Sequence, residues 1–392
     1  MFSSVIIAPI SESLAVTGFS EKAKTYRAGE KVIIIAEYSE NVYNSSAGTL
    51  TSSTVPVLEI RFGTSTTTRK ATFSSVNGNQ ITYEYTIASG DNGVLAVSSY
   101  SGTVYDNVLN SRSISRTSFL NNEITITADT TAPTLTSLAV SSPVQGTYKA
   151  GETVTIEAEY DEKVYGYDSG ISSRVAPELK IKFGSSEERT VSRFYYTGSK
   201  IVYEYTIASG DDGSLAVNSY SGTVSDSIGN SRSISRSSFL NNSKTISADT
   251  TAPTLTSLAV SSPTGGTYKA GEKVTIVAEY SESVFDSNAG TLTSSTAPEL
   301  KIKFGWFGEF GEEKIATFIE SKEGRYLVYE YTIASGDNGD LYGTSYCGEV
   351  YDQVENKATI EKDGFTDTYT NWIVADTTAP SVTFSPNGNT TP

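Results

Sequence analysis

The sequence predicts an all-β chain folded as three tandem antiparallel β-sandwiches in an extended array. Three observations carry this reading: long phrases recur at a fixed spacing, apolar residues alternate with a period of two, and turn-forming residues punctuate the chain at short intervals. The phrase ADTTAPTLTSLAVSSP occupies 128–143 and returns unchanged at 248–263. TYRAGEKVIIIAEYSE begins at Thr25, TYKAGETVTIEAEYDE at Thr147 and TYKAGEKVTIVAEYSE at Thr267. YEYTIASGD begins at Tyr83, Tyr203 and Tyr329. A period of about 120 residues is too long for a solenoid repeat and suits a complete domain with its own core.

The edges of the copies follow from the phrases. IIAPISESLAV near the N-terminus aligns with TTAPTLTSLAV, so the first domain is read as 6–128. The second is 129–248 and the third 249–375, each opening on Asp-Thr-Thr-Ala-Pro. Residues 376–392 read as a linker and the first strand of a further domain, so the chain is expected to be an excerpt of a longer protein.

Within each copy the elements read in order as strands. The first is SLAVSS. The second, KVTIVAEY in copy three, alternates Val274, Ile276, Ala278 and Tyr280 with outward residues. The third, PELKIKF, sets Leu300, Ile302 and Phe304 against Lys301 and Lys303. A weaker fourth follows. Then comes YEYTIAS, where Ile201, Tyr203, Tyr205 and Ile207 alternate with Val202, Glu204 and Thr206. SLAVNSYSGTV and a last strand ending in TISAD complete the set. Gly, Asn, Asp and Ser separate the runs, and no stretch sustains a helical period. Seven short antiparallel strands in a domain of this size indicate a sandwich of immunoglobulin-like type. The Cys…Trp…Cys pattern of antibody domains is absent, so this is a disulfide-free form.

Composition removes several function classes. The 392 residues include no histidine and a single cysteine, Cys347. Ser-His-Asp and Cys-His sites, histidine-bearing zinc sites, thiolate clusters and intrachain disulfides are therefore excluded. Lys plus Arg is 29 against 45 Asp plus Glu, a net charge of −16, which opposes nucleic acid and anionic membranes as partners. No apolar run approaches the roughly 20 residues that span a bilayer. The start, MFSSVIIAPI, lacks the basic and long apolar regions of a signal peptide. Hydrophobic residues are only 37%, yet 25 Tyr and 15 Phe supply buriable surface for several small cores.

The order DTTAP, GTYKAGE, a strand ending in SE, APEL, YTIASGD and GTV with a following Asp and Gly-Asn resembles the immunoglobulin-like tandem repeats of large bacterial surface proteins and adhesins. The resemblance covers nearly the whole chain. It implies a structural stalk on the cell surface or outside the cell, holding another domain away from it. It also implies calcium at the domain junctions, as in some related repeats and cadherin-like domains.

Carboxylates recur in register. Glu40, Glu162 and Glu282 end the second strand, Asp106, Asp226 and Asp352 follow Gly-x-Val, and Asp129, Asp249 and Asp376 open the linkers. Calcium takes six to eight oxygens, so a linker Asp, a strand-end Glu and a loop Asp are candidate ligands of a junction site. Turn chemistry accounts for the same Asp residues more simply, because Asp and Asn beside Gly bond their own backbone. Glu30, Glu152 and Glu272, and Asp91, Asp211 and Asp337, also recur. No copy carries an EF-hand spacing or dense Asp-x-Asp linkers.

Copy three departs from the others. Five more residues separate Phe304 from Tyr331 than separate Phe183 from Tyr205, and the extra segment reads GWFGEFGEE. Trp306, Phe307 and Phe310 are candidates for stacking on a glycan or filling a protein pocket, against a plainer role packing on their own sheet. Trp372 is expected in the core. Cys347, which replaces Ser101 and Ser221, is expected to be buried or half-buried. A lysine–asparagine cross-link is not expected, because Lys149 and Lys180 of copy two align with Arg27 and Arg61. An enzyme is not expected either: an active site copied identically into consecutive sandwiches would be odd, and Gly-rich phosphate loops, histidine-based sites and nucleophile elbows are missing. The leading reading is an acidic spacer of about 100 Å at roughly 3.3 Å per strand residue. Adhesion through copy three and self-assembly into fibres or layers are the alternatives.

Overall fold

The computed structural model describes residues 8–17, 23–165, 176–306, 309–365 and 372–382. Copy one contains β1 (Ser11–Val16), β2 (Ala23–Tyr26), β3 (Lys31–Tyr38), β4 (Val57–Phe62) and β5 (Arg69–Lys70). It continues with β6 (Thr72–Asn77), β7 (Gln80–Thr86), β8 (Gly93–Tyr105), β9 (Ser111–Arg116) and β10 (Thr125–Ala128). One sheet has the order β1-β3-β7-β6; the other runs β2-β10-β8-β4-β5, with β9 also on β8. These are the A-B-E-D and A′-G-F-C sheets of an immunoglobulin-like sandwich. Copy two repeats both orders. Among the described residues, no helix is long and apolar enough to cross a membrane.

The strands form where alternation allows one face to be buried. In β3, Val32, Ile34, Ala36 and Tyr38 are buried while Ile33, Ile35 and Glu37 face outward. Leu58, Ile60 and Phe62 of β4 meet them from the opposite sheet. Three separate cores result, spanning Leu14 to Ala128, Leu138 to Ala248 and Leu258 to Ala375.

Each core is bridged by tyrosine hydroxyls. Tyr38 at the end of β3 and Tyr100 in β8 are hydrogen-bonded at 2.7 Å. Tyr160 and Tyr220 repeat this at 2.7 Å, and Tyr280 and Tyr346 at 2.9 Å. These are the two strands that an antibody domain joins by its inter-sheet disulfide. Tyr83 Oη donates to the Pro56 carbonyl at 2.6 Å and lies edge-on to Tyr100, so a third buried hydroxyl is also satisfied.

The strand inventory exceeds the seven expected. The short β2 pairs in parallel with β10, so the pairing is not wholly antiparallel. The polar hairpin strand β9, SRSISR, buries only Ile114, which is too weak an alternation to read from sequence. In copy three, Lys314–Lys322 is one unbroken strand that pairs with both Glu299–Trp306 and Tyr326–Thr332. It joins the two sheets of that copy into a single 10-stranded sheet.

Two placements differ from expectation. Trp372 is 48% exposed rather than in the core, because Ile373 and Ala375 take the inward positions of the last strand and alternation turns residue 372 outward. Cys347 is exposed, like Ser101 and Ser221, because the neighbouring Tyr346 points into the core.

Candidate metal centre

At the start of copy two, three chain segments converge. Asp129 follows β10, and its Oδ1 accepts from the Thr131 amide at 3.1 Å and hydroxyl at 2.8 Å. Glu162 lies just past the strand Thr153–Tyr160. Asp226 opens the turn between Gly213–Ser225 and Ser231–Arg236. Carboxylate oxygens from all three lie within 4.8 Å of one another. Asp249, Glu282 and Asp352 form the same group at the start of copy three.

The loop Asp is held firmly. Asp226 Oδ1 accepts from the amides of Ile228, Gly229 and Asn230 at 2.9, 2.7 and 2.9 Å. Its Oδ2 accepts from Asn230 Nδ2 at 2.7 Å, and that same amide group donates to the Asp129 carbonyl at 2.9 Å. Asn356 makes the equivalent bonds to Asp352 at 2.6 Å and to the Asp249 carbonyl at 2.9 Å. The asparagine thus ties the hairpin turn to the linker. Sequence reading missed it as a site residue, although the four-residue offset recurs at Asp106/Asn110, Asp226/Asn230 and Asp352/Asn356.

Electrostatics mark both groups as strained. Burial, then Asp129, Asp226 and Asp161, push the Glu162 carboxyl up to about 6. Burial, then Asp249 and Asp352, push Glu282 up to about 7. Every charged influence on these two glutamates is another carboxylate. A calcium ion fits this donor set: hard oxygen ligands, a charge excess of the right sign, and spacing within the roughly 4.8 Å that two oxygens can span around one ion at about 2.4 Å. Carbonyls or water would complete six to eight ligands.

The remaining candidates are not assembled this way. Glu40 and Asp106 belong to the start of copy one, where the sequence has Val5 at the position of Asp129 and Asp249. Asp106 keeps its turn bonds, with Asn110 Nδ2 at 2.6 Å. Asp376 repeats the Asp129 contacts to Thr378 at 3.1 and 2.9 Å, without a three-carboxylate group among the described residues. Asp91 and Asp211 are buried structural acceptors, each taking a tyrosine hydroxyl at 2.6 Å and an arginine Nε at 3.0 and 2.8 Å. Glu30, Glu152 and Glu272 cap the amides of Arg27, Lys149 and Lys269.

A further contact crosses the second junction. Lys149 of copy two pairs with Glu355 in the hairpin turn of copy three at 2.7 Å. At the first junction the aligned pair is Arg27 and Gly229, so the salt bridge has no counterpart there. In the copy-three loop, Trp306 is 55% exposed, Phe307 lies outside the described residues, and Phe310 packs edge-on against Tyr342 at 5.1 Å.

No protein-family model matches the sequence, and no curated protein matches it. Solved structures do. The three N-terminal domains of the Highly Immunogenic Outer Capsid protein of bacteriophage RB49 are 14% identical, covering 94% of this chain and 99% of that one, with a TM-score of 0.22. The eight N-terminal Ig domains of Down Syndrome Cell Adhesion Molecule are 9% identical over 91% of this chain and 42% of that one, with a TM-score of 0.21. The plexin A4 extracellular region is 13% identical over 93% and 34%, at 0.25. The chain therefore spans less than half of the last two. Its class, a tandem array of immunoglobulin-like sandwiches, rests on its own sheet order.

Proposed function

We propose that this chain is a spacer segment of a bacterial surface or secreted protein, holding another domain away from the cell, and that calcium stiffens its junctions. The observation that carries this is the recurrence, at both junctions, of three carboxylates within 4.8 Å, with the strand-end glutamate of each group facing carboxylate charge. In each group one ligand comes from the linker and two from loops of the following domain. An ion held there would fix the linker against that domain and relieve the repulsion of an acidic rod.

Thermal unfolding and small-angle scattering in EDTA and in millimolar calcium test this together. Calcium should raise the unfolding midpoint by mass action and narrow the spread of particle lengths. Identical curves in both buffers would leave the carboxylates as turn formers and surface charge. A second reading, adhesion through copy three, is favoured by that copy's exposed aromatic residues.

A further inference from the structure

Copy three differs from its siblings on one sheet face, and the differences converge. Its strand Gly339–Tyr351 carries Tyr342 opposite Lys303 of Glu299–Trp306. Asp340, two residues earlier on the same strand, pairs with Gly305 on one side and Val374 on the other. Alternation puts Trp372 on the face of Val374, beside Tyr342, and the Trp372 Nε1–H donates to Asp340 Oδ1 at 2.5 Å. Phe310, from the added hairpin, stands at 90° to Tyr342, and the Lys303 ammonium lies 4.0 Å from the Phe310 ring centre.

Copies one and two share only the cation of this face, Arg61 and Lys182 standing at the position of Lys303. At the position of Tyr342 they carry Ala96 and Ala216, at Trp372 Thr125 and Thr245, and at Asp340 Val94 and Ser214. The pairing of these three strands does not ask for these changes, since copies one and two make the same pairing without them.

We propose that this face, built on Trp372, Tyr342, Asp340 and Lys303, binds a neutral polysaccharide chain. A hexopyranose ring presents a face of C–H groups with partial positive charge, which complements the negative face of an aromatic ring. Its hydroxyls lie around the rim, where the Asp340 carboxylate and the Lys303 ammonium stand ready as acceptor and donor. Trp372 is held in one orientation by Asp340, and Phe310 braces Tyr342 from the side, so little side-chain freedom remains to be lost on binding. The net charge of −16 and the central Asp340 select against acidic glycans.

The test uses the full chain with Trp306→Phe, which leaves Trp372 as the one indole of the two in the sequence. It is titrated by fluorescence with β-1,4-linked hexamers of glucose, N-acetylglucosamine and mannose. At least one hexamer should shift the Trp372 emission. The double change Tyr342→Ala/Trp372→Thr, which installs the residues of copy two, should weaken retention on the matching polysaccharide by at least about tenfold. Trp306→Ala should bind like the parent. If the double variant unfolds, Asp340→Ser, again the copy-two residue, takes its place with the same expected loss. Silence with all three hexamers at millimolar concentration overturns the proposal, as does undiminished binding by the variants. So does a dimer that the double variant abolishes, which would make the face a contact between chains.

Discussion

Asp226 and Asp106 occupy the same hairpin turn and make the same backbone bonds, but only Asp226 has Asp129 and Glu162 beside it. That contrast separates turn chemistry from metal binding. Asp106→Ala should destabilise copy one by about 1 kcal/mol, because it removes the acceptor of the part-buried turn amides, and should leave the response to calcium intact. Glu162→Gln touches no backbone bond. In EDTA it should raise the unfolding midpoint of copy two by relieving repulsion, and it should remove the calcium response of the first junction. A glutamate whose pKa is raised on folding binds more protons folded than unfolded. Its contribution is therefore complete below the ordinary value of 4.5 and is lost as pH rises through about 6 for Glu162 and about 7 for Glu282. Metal-free protein should lose stability between pH 4.5 and 7, on the order of 1 kcal/mol per junction after allowance for solvent screening. Calcium binding, which needs the ionised form, should strengthen over the same interval. Denaturant titrations at stepped pH, with and without calcium, check both signs.

The strands were legible in proportion to their alternation. β3, β4 and their copies announce themselves because every second residue is large and apolar, and the structure buries those residues. SRSISR did not, since one buried Ile114 in six residues carries no period. The short β2 is set by its parallel partner rather than by its own composition. The same limit governed the sites. Acidic positions could be matched between copies, but nothing in the sequence tells which of the recurring carboxylates meet in space. The fold selects linker, strand end and hairpin turn, and turns the other positions into caps and buried acceptors. Trp372 was misplaced because its strand is only three residues long and the phase of so short an alternation is ambiguous. The tyrosine bridge is a property of paired elements. Tyr160→Phe should lower the stability of copy two by about 1 kcal/mol, since Tyr220 keeps its other tyrosine neighbour, Tyr203, and loses one hydroxyl partner. Equilibrium unfolding in urea would read this directly.

As a whole, the molecule has three small cores in series, joined by linkers that each carry one of three facing carboxylates. The cores are alike, and with a single cysteine in the sequence none is closed by an intrachain disulfide. What varies along the array is the join. The second junction adds the Lys149–Glu355 pair, worth no more than about 1 kcal/mol at partial exposure, so it trims the hinge rather than locking it. The carboxylate groups are the larger lever on this proposal, because one ion would act on two junctions at once. Calorimetric titration of calcium into metal-free chain, alongside Glu162→Gln/Glu282→Gln, decides whether it does. The expected result is two sites per chain, both absent from the double variant. No binding, or binding that the double variant keeps, would contradict the junction assignment and leave the array a plain acidic spacer.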